Sequence, residues 1–153
     1  MPDVLETTVD KFTFRVPTDR LYTRDGLWVL RLAPMNGGRV RVGLTDYLQQ
    51  HNGDLAFASV KRIGTTVCAG EELAEVETVK VNLSLPAPVS GTVVEVNPAL
   101  ELTPEIINRD PYGGGWLAVV ETTSLDAECA TLLDPAAYFA AMQQQAEEAL
   151  GQP

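Results

Sequence analysis

The sequence predicts a mainly β protein, a flattened barrel or sandwich with short helices and one C-terminal helix. Three observations predict it. Apolar and polar residues alternate in short runs over the first two-thirds of the chain, glycine and proline punctuate those runs, and after Leu125 the composition turns to Ala, Leu, Glu and Gln. Period-two runs between turn residues are the pattern of half-buried antiparallel strands. A stretch of Ala, Leu, Glu and Gln favours helix, because these side chains lose little rotamer freedom there.

The elements follow in order. Lys11–Arg15 (KFTFR) alternates, with Phe12 and Phe14 on one face. Leu27–Leu32 (LWVLRL) is rich in strand formers, and Arg39–Val42 alternates basic and apolar residues. Thr45–Asn52 (TDYLQQHN) breaks the rhythm: Thr45 can cap a short helix, Asp46 suits its first turn and Gly53 its end. Asp54–Val60 (DLAFASV) resumes the alternation and predicts Leu55, Phe57 and Ser59 on one side. Gly64–Val67 and Gly70–Val76 lead by strand, turn and strand to Lys80, and Pro88–Asn97 repeats a glycine-flanked Val/Glu strand after it. Two similar halves would meet at Glu77–Val81. Thr103-Pro104-Glu105 signals a helix of a turn or two, since Asp110-Pro111 follows. Asp134-Pro135 starts the last helix, with Phe139, Met142, Ala146 and Leu150 near one face and Gly151 at its end. One domain is expected, residues 1–124 forming the β part with its N-terminal strands and residues 125–153 a helical segment packed on it.

Composition narrows the function. The chain has 153 residues, 45% of them hydrophobic, with 11 basic and 21 acidic residues and a net charge of −10. That balance argues against a nucleic-acid partner, whose phosphates need basic patches. It suits docking onto basic partner proteins, or serves solubility alone. No run approaches the roughly 20 apolar residues of a membrane span, and the start lacks the pattern of a signal peptide, so a cytoplasmic protein is expected. The two cysteines, Cys68 and Cys129, are far apart and read as inert thiols in a reducing compartment. With His51 the one histidine, no His-based catalytic pair or multi-His metal site can form. Hydroxyls such as Thr122 and Ser124 have no evident base, and no phosphate-binding glycine loop is present. A standalone enzyme is not expected.

The segment ETVKVNLSLPAPVSGTVVEVNPAL, residues 77–100, resembles the lipoyl-attachment region of the glycine cleavage system H protein. VGLTDYLQQHNGD (42–54), IGTTVCAGEELAEVE (63–77), NRDPYGGGWL (108–117) and SLDAECATLLDPAAYF (124–139) resemble further segments of that family in the same order, from about Tyr22 to Phe139. The resemblance implies a lipoyl-domain-like hybrid barrel-sandwich and a non-enzymatic carrier. It implies lipoate in amide linkage on Lys80, with Glu77 and Gly91 recognised by the lipoylating enzyme, a lipoate ligase or lipoyl transferase. A swinging-arm lysine should sit exposed at the tip of a tight turn, which Thr78–Val81 can supply, with no ion-pair partner holding it down. Gly91 also suits a turn glycine of positive φ. Biotin carriers share the fold type but flank their lysine with methionines, where this chain has Val79 and Val81. An unmodified interaction module is the other alternative.

The departures bear on the pathway. The family's Tyr-x-x-x-His-Glu-Trp reads Tyr22-Thr-Arg-Asp-Gly26-Leu27-Trp28 here, and Val81 replaces the usual alanine after the lysine. These positions are expected where the H protein shelters its loaded arm. Gly26 and Leu27 therefore favour a divergent branch that serves sulfur oxidation beside a heterodisulfide-reductase-like complex. The alternative is glycine cleavage itself, with glycine decarboxylase, aminomethyltransferase and dihydrolipoamide dehydrogenase as partners. On this reading the chain would support glycine cleavage poorly unless Asp25 or Asp46 compensates, and Gly26→His with Leu27→Glu would restore it.

Overall fold

The chain opens with a hairpin of β1 (Val4–Val9) and β2 (Phe12–Pro17), turned at Asp10, whose φ of 57° is left-handed. The computed structural model describes residues 3–32, 38–123 and 125–151. Ser124, the expected boundary there, and the Leu150 side chain lie outside the described residues. Strands β3 (Leu21–Tyr22), β4 (Leu27–Arg31) and β5 (Gly38–Leu44) follow, then helix α1 (Asp46–Asn52). Next come β6 (Leu55–Val60), β7 (Thr66–Val67), β8 (Glu72–Thr78), β9 (Asn82–Pro86) and β10 (Gly91–Val96). Two single-turn helices, α2 (Ala99–Leu102) and α3 (Ile106–Arg109), precede β11 (Ala118–Thr122), α4 (Leu125–Cys129) and α5 (Pro135–Gly151).

The strands make two main sheets. One runs in the order β3-β4-β5-β11-β10-β7 and the other β6-β8-β9, all through antiparallel pairs. Their inner faces share one apolar core, with Val29, Val42 and Val120 from the first sheet against Leu55, Leu73, Val76 and Leu85 from the second. The mainly β barrel-sandwich with short helices and a C-terminal helix is thus the fold. A second core lies outside this sandwich, where α5 packs on β1, β2 and β3. Its centre is Tyr22 and Trp28, both fully buried, with Tyr138, Met142 and Ala146 arriving from α5 at four-residue spacing.

Most expected elements are present, and three details differ. In β6 a bulge between Leu55 and Phe57 shifts the register. Leu55 and Ala58 are buried while Phe57 is 52% exposed, so Leu55, Phe57 and Ser59 do not share a face. Thr103 does not cap α3, which begins two residues after Pro104, and α2 forms just before it. On α5 the stripe is led by Tyr138, with Phe139 only partly buried beside it. Asp134 does cap that helix, its carboxylate accepting the Ala137 N–H at 2.7 Å. Thr45 caps α1 as expected, accepting the Leu48 N–H, and Gly53 follows its end with φ 86°.

Tyr138 couples this second core to pH. Its ring stacks on Tyr22 at 4.6 Å, and its hydroxyl lies 2.9 Å from the Thr45 hydroxyl. Burial pushes the phenol up to about 12 from an ordinary 10.0, and the Thr45 hydrogen bond opposes that only in part. A folded-state value raised above the unfolded one gives stability that is complete below pH 10 and lost as pH climbs through 12. Two units correspond to roughly 3 kcal/mol. Burial raises Tyr22 and Tyr112 in the same direction. Denaturation midpoints should therefore fall steeply above pH 10, and less steeply in Tyr138→Phe. Identical alkaline slopes for the two proteins would refute the assignment to Tyr138.

Candidate functional site

Lys80 stands at the turn between β8 and β9, between Val79, 72% exposed, and Val81, 43% exposed. Thr78 ties the turn together. Its N–H donates to the Val81 carbonyl at 2.8 Å, and its hydroxyl donates to the same carbonyl at 3.0 Å. That hydroxyl also accepts the N–H groups of Lys80 and Val81, at 3.1 and 3.0 Å. The Val79 N–H donates to the Asp54 carbonyl at 3.1 Å, fixing the turn against the loop after α1. Gly53 lets that loop approach: a Cβ there would sit 3.1 Å from the Val79 side chain.

The Lys80 ammonium has no carboxylate partner among the described residues. It donates to the His51 carbonyl at 3.2 Å in an exposed bond, which contributes on the order of 1 kcal/mol. The group is therefore accessible for acylation and is not held in an ion pair.

Glu77 is exposed on β8, where its Cα partners are Phe57 and Asn82. No hydrogen bond or ion pair engages its carboxylate among the described residues, so it stands free two strand positions before the turn. Gly91 opens β10 and does not have positive φ. Its lack of a side chain has a different cause: a Cβ would collide with the Glu121 carbonyl and lie 2.8 Å from Val120 on the neighbouring strand. The expected turn role is replaced by close approach of two backbones.

Beside Lys80 lies a cleft of about 220 Å³. The β1–β2 hairpin supplies Val9, Phe12 and Phe14, α1 supplies Tyr47, Gln50 and His51, and α5 supplies Ala146 and Ala149. The rings form a ladder: Phe12 stacks on Phe14 at 6.3 Å, Phe14 meets Tyr47 edge-on at 5.2 Å, and Tyr47 stacks on His51 at 5.4 Å. Sequence reasoning placed Phe12 and Phe14 on one face but gave that face no function. The signal is non-local, because nothing in the hairpin's own pattern says that α1 and Lys80 lie under it.

Gly26 and Leu27 are not brought to this cleft. Leu27 is fully buried in the inter-sheet core, and Gly26, at φ 96°, packs against Leu48. A histidine at Gly26 would be strained, and a glutamate at Leu27 would bury a charge, so the expected restoring pair would act on the fold. Asp46 offers no compensation. Its carboxylate accepts the Arg15 N–H at 3.0 Å and the amides of Gln49 and Gln50 at 2.8 and 3.0 Å. Cys68 is exposed, whereas Cys129 is buried and burial pushes its thiol up; neither lines the cleft.

The glycine cleavage H-protein family model matches residues 20–145. A glycine cleavage system H protein of Mycobacterium tuberculosis is 44% identical over 128 residues, covering 80% of this chain and 93% of that protein. One from Beutenbergia cavernae is 43% identical over 125 residues, covering 82% and 94%. The crystal structure of a glycine cleavage system H protein from Mycobacterium marinum superposes with a TM-score of 0.73 at 40% identity, over 85% of this chain and 99% of that one. These matches lend no support to the sulfur-oxidation reading, which rested on Gly26 and Leu27. No helix among the described residues is long and apolar enough to cross a membrane. With a family match over most of its length and a free lysine at the tip of the β8–β9 turn, the chain belongs to the glycine cleavage H-protein family, whose members are lipoyl carriers and not enzymes.

Proposed function

We propose that Lys80 is the lipoylated lysine and that the protein carries the aminomethyl group in glycine cleavage. Its partners would be glycine decarboxylase, aminomethyltransferase and dihydrolipoamide dehydrogenase. The observation that carries this reading is Lys80 itself, exposed on a hydrogen-bonded turn with no ion-pair partner among the described residues, within a chain matched collinearly to H proteins. Bound lipoate supplies a dithiolane that exchanges between disulfide and dithiol. The chain's own residues present it. Thr78 fixes the turn, the Val79 N–H anchors it to Asp54, and Glu77 offers a lipoate ligase or lipoyl transferase a charged handle beside the tip. Gly91 acts behind this, by letting β10 and β11 close. The interaction-module alternative lacks any such reason for a bare lysine at a locked turn.

The test combines chemistry and turnover. After incubation with a lipoate ligase, intact mass should show one lipoyl adduct, and peptide mapping should place it on Lys80. The lipoylated protein should then support glycine-dependent turnover with the three partner enzymes. No adduct, or an adduct elsewhere, would overturn the attachment site. An adduct at Lys80 without turnover would overturn the pathway.

A further inference from the structure

The β6-β8-β9 sheet turns one face to the core, through Leu55, Ala58, Val76 and Leu85, and leaves the other to solvent. Two cross-strand rows stand on that open face, Phe57–Glu77–Asn82 and Ser59–Glu75–Ser84, and all six residues are exposed. Phe57 is the most exposed of the described aromatic residues, at 52%. Glu75 and Glu77 have no hydrogen-bond or ion-pair partner among the described residues. The nearby Glu72, by contrast, is held by Lys61 at 3.3 Å and by the Ser84 hydroxyl at 2.7 Å. Beside Phe57 the face dips into a depression of about 210 Å³, walled by Ser59, Lys61, Glu72 and Glu75.

This face adjoins the Lys80 turn. Glu77 precedes Lys80 by three residues, and Phe57 lies one strand across from Glu77, which puts the two backbones within roughly 11 Å of each other. Distance selects the visitor. An enzyme that acylates Nζ must bring its activated lipoyl carbonyl to the end of a four-carbon side chain, so its rim overlies the adjoining sheet. An enzyme that acts on the dithiolane works a further arm's length away and can leave this face untouched. A ring left in water and two like charges on one strand both gain from a visitor that brings an apolar socket edged with cations.

Resting on Lys80 as the acceptor, we propose that the open face of β6-β8-β9 is the docking surface of the enzyme that acylates Lys80. Phe57 fills an apolar socket on that enzyme, and Glu75 and Glu77 face its basic side chains, one of which enters the depression. The acylation itself joins Nζ to the activated lipoyl carbonyl, breaks the bond from that carbonyl to its leaving group and releases two protons of the ammonium. Phe57 and Glu75 take no part in those bonds; they position Lys80 by holding its enzyme.

The experiment uses the full, unlipoylated chain with a lipoate ligase, lipoate and ATP, and follows the initial rate against carrier concentration. Phe57→Ser should raise KM about tenfold with kcat unchanged, the effect of losing one aromatic anchor. Phe57→Leu, which keeps an apolar side chain, should recover most of that loss. Glu75→Gln should raise KM at low salt and flatten its rise with added salt. Ile63→Ser removes an equally exposed apolar group, 65% exposed beyond the far end of β6, and should leave KM alone. Once lipoylated, Phe57→Ser should be reduced by dihydrolipoamide dehydrogenase with the KM of the unaltered protein. A urea midpoint on each preparation confirms that it is folded. If the unaltered protein takes no lipoate at Lys80, the attachment reading fails and this face with it. A normal adduct with KM unmoved in Phe57→Ser and Glu75→Gln would overturn the face alone. An equal loss in Ile63→Ser, or a loss that appears at the dehydrogenase step, would overturn the assignment of this face to the acylating enzyme.

Discussion

Lys80→Arg is expected to abolish lipoylation and to bring glycine-dependent turnover to background. The substitution keeps the positive charge and nearly the same reach, but a guanidinium stays protonated at any working pH and cannot be acylated as an amine can. The fold should not notice. Residue 80 is exposed at a turn whose geometry rests on Thr78 and on backbone groups, and such surface changes usually stay within about 0.5 kcal/mol. Intact mass, turnover and a urea midpoint measured on one preparation separate these effects. A lipoyl adduct that survives in Lys80→Arg would sink the assignment, and a large fall in midpoint would show that Lys80 also supports the fold.

Trp28→Ala should have the largest effect on stability. The indole is fully buried, its N–H donates to the Pro111 carbonyl at 2.8 Å, and the Arg20 guanidinium lies 4.7 Å above the ring. Gly43 is shaped around it, since a Cβ there would come within 2.5 Å of the indole. Truncation leaves a cavity, an unpaired carbonyl and an uncovered arginine, and buried Trp→Ala changes cost about 3–5 kcal/mol. A small domain has a margin of roughly 5–15 kcal/mol, so much of it should go. Urea denaturation gives the number, and a loss below about 1 kcal/mol would mean that this second core is not what holds α5 to the sheets.

The parts that sequence made legible are those written locally. Helix α1 announces itself through Thr45 and Gly53 because capping is a matter of a few adjacent residues. The turn at Lys80 is legible for the same reason, through the motif around it. Four features were hidden, each for a physical cause. The β6 bulge between Leu55 and Phe57 leaves no trace in an alternating pattern that looks regular. Tyr138 carries a polar hydroxyl, so an apolar stripe drawn on α5 passes it by, yet its partner Thr45 lies 93 positions away. The fate of Gly26 and Leu27 turned on three-dimensional neighbours: their family positions suggested the arm site, and packing put Leu27 into the inter-sheet core. The hairpin over the cleft belongs with these, since the Phe14–Tyr47 contact joins elements that no local pattern connects.

The knot around Thr78 has a consequence for recognition. The backbone N–H groups of residues 78, 79, 80 and 81 are all engaged within the protein. A visiting enzyme thus finds no spare main-chain donor at the tip and cannot clamp it as an added strand. The side chains that stand exposed around the tip are Val79, Val81 and Glu77. It also meets a loop already frozen, so little conformational entropy is lost at each encounter. A carrier that visits several active sites in one cycle gains from that economy, because each host receives the same shape and can let it go as readily as it was taken.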